Sequence, residues 1–162
     1  MPGLWFEEFE AGRVFDHEWT RTVTEADNVG FSMMTMNPQP LHIDRHAAAK
    51  TEFGQPLVNS LFTLGLMIGI SVNDTTLNTT VANLGMDDVR FPAPLFHGDT
   101  VRVRTTVEGV RPSKSRPGQG VVTFRHEAFK QDGTLVATCR RAALMRARPD
   151  GPEPGAAEPE AD

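Results

Sequence analysis

Residues 57–72 read LVNSLFTLGLMIGISV, and this stretch decides the fold. It is apolar on almost every face and long enough for several helical turns, so it predicts a helix that is buried all round rather than amphipathic. Gly65 and Gly69 lie four apart within it. Glycine inside a helix costs about 1 kcal/mol relative to alanine. Two on one face point to close backbone approach, most simply by a sheet wrapped around the helix. Asn73-Asp74 is the expected end.

Upstream, residues 15–23 roughly alternate and read as a strand. Thr24 then carries a helix-start signal, with Glu25 and Asp27 in the first turn where the helix dipole favours acid. This helix should run to about Met34. Pro38 and Pro40 rule out regular helix and stiffen a loop that presents polar groups. Asp44 is the expected N-cap of a second short helix, with Gly54 and Pro56 breaking the chain after it. Downstream, residues 78–91 alternate in part before Pro92 and Pro94. In residues 100–110, Val101, Val103, Thr105 and Val107 share one face, with Arg102, Arg104 and Thr106 opposite. The runs 121–130 and 135–145 flank an Asp132-Gly133 turn, a strong hairpin signal. Helices segregated from an antiparallel run of strands make an α+β domain, with one sheet curled around one long buried helix.

The chain has 162 residues and is 39% hydrophobic, enough for one core and too short for two ordinary domains. Net charge is −5 and both signs are mixed, so neither nucleic acid nor a membrane surface is expected as partner. The acidic N-terminus lacks the basic region of a secretion signal. Cys139 is the single cysteine, and no Cys/His cluster has metal-ligand spacing. These features lead us to expect a cytoplasmic domain without metal. Residues 148–162 are rich in Pro, Gly, Ala and acid. They are expected as a disordered tail behind a domain spanning 1–147.

Three segments resemble the MaoC-like dehydratases and (R)-specific enoyl-CoA hydratases. Pro40-Leu41-His42 matches the end of that family's G-D-x-N-P-L-H loop. Val58-Asn59-Ser60-Leu61 stands where the family has H-G-M/L at the start of its central helix. Val89-Arg90-Phe91-Pro92-Ala93-Pro94 followed by His97-Gly98-Asp99-Thr100 is similar to its R-F-x-x-P-V and G-D-T segments. The resemblance covers residues 5–147 in the right order. It implies a hot-dog fold and a hydro-lyase that adds water reversibly across the double bond of an enoyl-CoA thioester. Coenzyme A is then part of the substrate, with no separate cofactor, and a homodimer or higher homo-oligomer is expected. Local wording such as TMNPQPLHID and VNSLFTLGL is similar to the subgroup acting on branched C5 dicarboxylyl esters of the mesaconyl- and itaconyl-CoA type. Asn37 stands at the family's catalytic aspartate and Gln39 at its asparagine. An amide cannot act as a general base. Either His42 alone transfers protons, or another acid reaches the site, or the chain is not a hydratase.

Hydration of an enoyl thioester needs an activated water, a stabilised enolate oxygen and a proton at the α-carbon. His42 is the natural acid/base, since an imidazole titrates near neutral pH. Asn37 would orient the water or merely brace its loop. Backbone N–H groups near Asn59 and Ser60 would hold the enolate at the helix N-terminus, and the Asn59 amide would contact water or the thioester. Arg90, Lys114 and Arg116 are candidates for coenzyme A phosphates or a substrate carboxylate. His97 reads as turn chemistry, and His17, His46 and His126 as exposed. Two alternatives remain open: a catalytically silent acyl-CoA-binding protein, and a hot-dog thioesterase. The absence of Asp or Glu from residues 57–72 argues against the second.

Overall fold

In chain order, a 3-10 turn (Phe6–Glu8) precedes strands β1 (Val14–Asp16) and β2 (Arg21–Thr22). Helices α1 (Glu25–Met34), α2 (Pro40–Ile43), α3 (Arg45–Ala48) and α4 (Ser60–Thr75) follow. Strands β3 (Thr80–Arg90), β4 (Thr100–Pro112), β5 (Gln119–Phe129) and β6 (Leu135–Arg146) complete the domain. The computed structural model describes residues 3–149. The sheet is antiparallel with strand order β1-β4-β5-β6-β3, and β2 adds to β4.

Strand alternation works as the sequence predicts. Val101, Val103, Thr105 and Val107 of β4 are buried, and so are Val122, Phe124, His126 and Ala128 of β5. These inward side chains curl around α4, which packs mainly on β4, β5 and β6. The result is the hot-dog arrangement. Gly133 has φ 88°, the left-handed turn conformation that the β5–β6 hairpin needs. Among the described residues, no helix is long and apolar enough to cross a membrane, and no group of His, Cys, Asp or Glu is placed to hold a metal.

Several expectations are corrected. Residues 15–23 form two short strands rather than one, because the chain leaves the sheet after β1 and rejoins β4 at Arg21. The prolines permit one helical turn, since Pro40 is at the start of α2 where a missing N–H costs nothing. Helix α4 begins at Ser60 and runs past Asn73-Asp74 to Thr75. Its C-terminal carbonyls are covered by the N-terminal segment: Gly3 N–H donates to Leu77 O at 2.7 Å and Leu4 N–H to Thr75 O at 2.9 Å. A side chain on Gly3 would lie within 2.8 Å of that backbone, so only glycine fits. Helix α4 is also not buried all round. Leu61 is 59% exposed, and Gly65 and Gly69 face away from the sheet with open space beside them. One chain covers only one side of this helix.

His17 and His126 are buried, contrary to expectation, because polar partners wait for them inside; His46 is exposed. Arg148 is held by Glu7 and Glu8 at 3.0 and 2.9 Å, so the expected tail does not start there. The remainder of that tail, 150–162, lies outside the described residues.

Thr24 and Asp27 form the capping box of α1, which places Asn28 and Ser32 on the buried face of that helix. The Asn28 amide then bolts three segments together. Its Oδ1 accepts from Asn59 N–H at 2.8 Å. Its Nδ2 donates to the carbonyls of His42 at 3.0 Å and Leu57 at 3.1 Å. Replacing Asn28 with Ala would strand these buried groups. At roughly 1–3 kcal/mol for each unpaired group, Asn28→Ala should lose about 3 kcal/mol in urea unfolding. Asn28→Asp, which keeps only the acceptor, should lose at least as much. A loss below about 1 kcal/mol in both would show that the bolt does not stabilise the fold.

Candidate active site

The site forms where residues 57–60 join α2 to the start of α4. Leu57 N–H donates to Leu41 O at 3.1 Å, and Val58 N–H donates to Leu95 O at 2.9 Å. These bonds fix the entry into α4 between the proline-framed loop and the segment after β3. Asn59 caps α4 by accepting from Leu61 N–H at 3.0 Å.

His42 lies in the single turn of α2, half-buried. Its Nδ1 is 2.8 Å from Leu57 O. A carbonyl only accepts, so Nδ1 carries a hydrogen, and in the neutral ring Nε2 keeps the lone pair. The ring is therefore set as a proton acceptor at Nε2, the tautomer a general base requires.

At the N-terminus of α4, Leu61 N–H is taken by the cap. The N–H groups of Ser60 and Phe62 have no partner among the described residues. Unpaired first-turn donors, with the dipole of a 16-residue helix behind them, favour a developing oxyanion. Beside them is a cavity of about 260 Å³, lined by Phe53, Leu57, Ser60, Thr63, Phe91 and Leu95 among others. No charged side chain lines it. His42 is not part of its wall but adjoins it through Leu57, whose carbonyl holds the imidazole.

The other candidates fall in different places. Asn37 Oδ1 accepts from Gln39 N–H at 3.2 Å, so that end of the amide braces the loop. Its Nδ2 has no partner among the described residues. Asn59 is buried and both ends of its amide are occupied, one by Leu61 N–H and the other by Ser32 Oγ at 3.2 Å. In the structure Asn59 acts as the cap of α4, with one bond at each end of its amide and a second Nδ2–H and Oδ1 lone pair remaining. Asp44 caps α3 by accepting from His46 and Ala47 N–H groups, at 2.8 and 3.0 Å.

Arg90 pairs with Asp88 at 2.7 Å, and Asp88 also holds Arg125 at 3.0 Å. Lys114 and Arg116 belong to an exposed loop that lines a second groove with Arg111, Ala82, Leu84 and Leu144. Val136 lines the first cavity and Leu144 the second groove. They sit near opposite ends of β6, roughly 26 Å apart at ~3.3 Å per residue. Within one chain, then, the basic loop does not meet His42.

The sequence reading missed Asn28 and His97. Asn28 Nδ2 also lies 2.9 Å from His97 Nε2, so its two hydrogens are shared among three acceptors. That contact suits a neutral His97, and burial pushes the His97 pKa down. The available signal was Asn28 and Ser32 at helical spacing in α1, a polar stripe on what had to be its inner face.

The model for the MaoC like domain family matches residues 7–128. A mesaconyl-CoA hydratase of Cereibacter sphaeroides is 32% identical over 98% of this chain and 46% of its own length. A 3-hydroxybutyryl-CoA dehydratase of Methylorubrum extorquens is 32% identical over 70% of this chain and 69% of its own. A protein of Mycobacterium tuberculosis with a double hotdog fold superposes with a TM-score of 0.82 at 27% identity, over 99% of this chain and 53% of that one. The chain spans about a third to a half of the length of the first curated relatives it matches. With its helix-wrapping sheet, its proline-framed His42 and a family match across most of the domain, the chain belongs to the MaoC-like domain family.

Proposed function

We propose that the chain is a hydro-lyase that adds water across the double bond of an enoyl-CoA thioester. The observation that carries this reading is the His42 imidazole, whose Nδ1 is held by the carbonyl of Leu57, three residues before the first unpaired N–H of α4. Water gives a proton to His42 Nε2 as its oxygen bonds to the β-carbon. The electron pair of the double bond moves to the thioester oxygen, where the Ser60 and Phe62 N–H groups hold it. The imidazolium then returns the proton to the α-carbon, so one molecule of water is added and the base is restored. Asn37 Nδ2 orients the water. Asp44 is occupied as a cap and the cavity wall carries no carboxylate among the described residues, which supports proton transfer by His42 alone.

The thioesterase alternative wants a carboxylate on the central helix. The one acid in α4 is Asp74, near its C-terminal end and bonded to His17. For the acyl group we propose a short enoyl chain, with branched C5 dicarboxylyl esters of the mesaconyl or itaconyl type as the particular candidates. Names of relatives and wording of motifs support those esters. The uncharged cavity wall means that a second carboxylate must find its cation elsewhere. A cytoplasmic setting is part of the proposal and suits the lone buried thiol of Cys139.

A homodimer supplies the missing cations. Strand β3 is an edge strand exposed along almost its whole length, with Leu84, Met86 and Val89 uncovered. Antiparallel pairing of β3 with its copy sets the Ala82–Leu84 end of one strand beside the Arg90 end of the other. The partner's basic loop then approaches this chain's cavity, and Lys114 and Arg116 serve a site across the interface.

A panel of crotonyl-, mesaconyl- and itaconyl-CoA should show loss of thioester absorbance with the wild-type protein. His42→Gln should lower kcat about 10³-fold, within the range for a general base, with little change in KM. Binding without turnover for every ester would instead make the protein a silent acyl-CoA binder.

Arg116→Ala should raise KM for the ester, and co-expressing it with His42→Gln tests the interface. Mixed dimers recover activity if the arginine acts across it, because one site then holds both an intact His42 and an intact partner arginine. No recovery would place any role of Arg116 within its own chain.

A further inference from the structure

Away from the candidate active site, four polar side chains form a line through the core. His17 Nδ1 is 2.8 Å from Asp74 Oδ2, and its Nε2 is 2.8 Å from Thr105 Oγ1. Thr105 Oγ1 is also 2.8 Å from His126 Nδ1. His17, Thr105 and His126 are all buried. At the far end, His126 Nε2 is buried with no partner among the described residues.

Arg141 sits at that end. It is 6% exposed, its Nε and Nη2 are buried without partners, and it enters no ion pair among the described residues. Its Cζ lies 5.2 Å from the centre of the Phe124 ring, and the His126 ring lies 5.6 Å from the same ring. Register agrees, since Phe124 pairs with Arg141 and His126 with Cys139 on neighbouring strands. Residues two apart share a face, so His126 and Arg141 are diagonal neighbours above Phe124. Cys139 beside them offers no counter-charge, because burial pushes its thiol up and keeps it neutral.

A guanidinium stays charged in a protein interior, and a buried charge without a partner is costly. Unpaired buried donors in a native core call for a water or an ion. The line of hydrogen bonds bears on which. Thr105 Oγ1 has one hydrogen, so it donates to one imidazole and accepts from the other. In the direction where Thr105 donates to His126 Nδ1, His126 carries its hydrogen on Nε2, and every unpartnered group at that end is then a donor. Burial together with the Arg141 charge pushes the His126 pKa to about 3, so the ring stays neutral in either direction of the line.

We propose that His126 Nε2–H and the Arg141 Nε–H and Nη2–H groups hold one small monovalent anion of the halide class inside the sheet. The anion then balances the Arg141 charge locally. The anion would pin β5 to β6 under α4, remote from His42, and take no part in hydration.

Melting of the full chain in chloride, bromide and gluconate at equal ionic strength and fixed pH provides the first test. Chloride and bromide should raise the midpoint in a saturating way, by roughly 4 °C at ten times the dissociation constant, and gluconate should not. Crystals grown in bromide should show an anomalous peak within hydrogen-bond distance of Arg141 Nε and His126 Nε2. Arg141→Met, a neutral side chain of similar reach, should remove the halide dependence whatever its own midpoint. Equal midpoints in all three salts, or a water at that position with no bromide signal, would overturn the proposal.

Discussion

The Asn28 amide is the constraint on which the site depends. It satisfies the N–H of the residue that caps α4 and the carbonyls of His42 and Leu57 at once. Each of these groups sits where a loop meets a helix, where no regular ladder can pair it. Without a side chain of this shape and polarity, three loop ends would be buried with open valences. With it, the turn α2 that carries His42 and the end of α4 with its unpaired donors share one anchor. Their relative position is therefore set by a neutral amide rather than by an ion pair.

Elements with a strong period were legible in the sequence. The alternation in β4, the Asp132-Gly133 hairpin, the Thr24 start of α1 and the Asp44 cap all follow from local rules, and the structure shows each of them. His42 stood out because proline rings frame it. What local rules could not give was the identity of cross-chain partners. His17 and His126 look like ordinary strand polar residues until Thr105 and Asp74 are placed opposite them, and those contacts span 21 to 88 positions. The partner of Asn59 was hidden for the same reason: Ser32, 27 positions upstream, accepts from its amide nitrogen. The reach of α4 was misjudged because the segment that covers its end, Gly3 and Leu4, lies far away in sequence.

The exposed side of α4 and the exposed strand β3 have one origin. A sheet of this size curls around a helix from one side only, so one face of the helix and one edge of the sheet stay uncovered in a single chain. Leu61, Leu84, Met86 and Phe91 are exposed on these surfaces. Water contact at such positions is unfavourable by about 25 cal/mol per Å² of apolar area. Burial against a second copy would remove this cost, and it explains why open glycines in α4 do not weaken the case for a helix there.

The two kinds of histidine partner in this protein show what each is suited to do. His17 has the Asp74 carboxylate on Nδ1 and the Thr105 hydroxyl on Nε2, so both ring nitrogens are occupied and the ring is a structural link. His42 has the Leu57 carbonyl on Nδ1, which fixes the ring angle, and its Nε2 has no partner among the described residues. The proposed hydration needs one ring nitrogen free to exchange a proton with water and carbon. Of these two histidines only His42 keeps one.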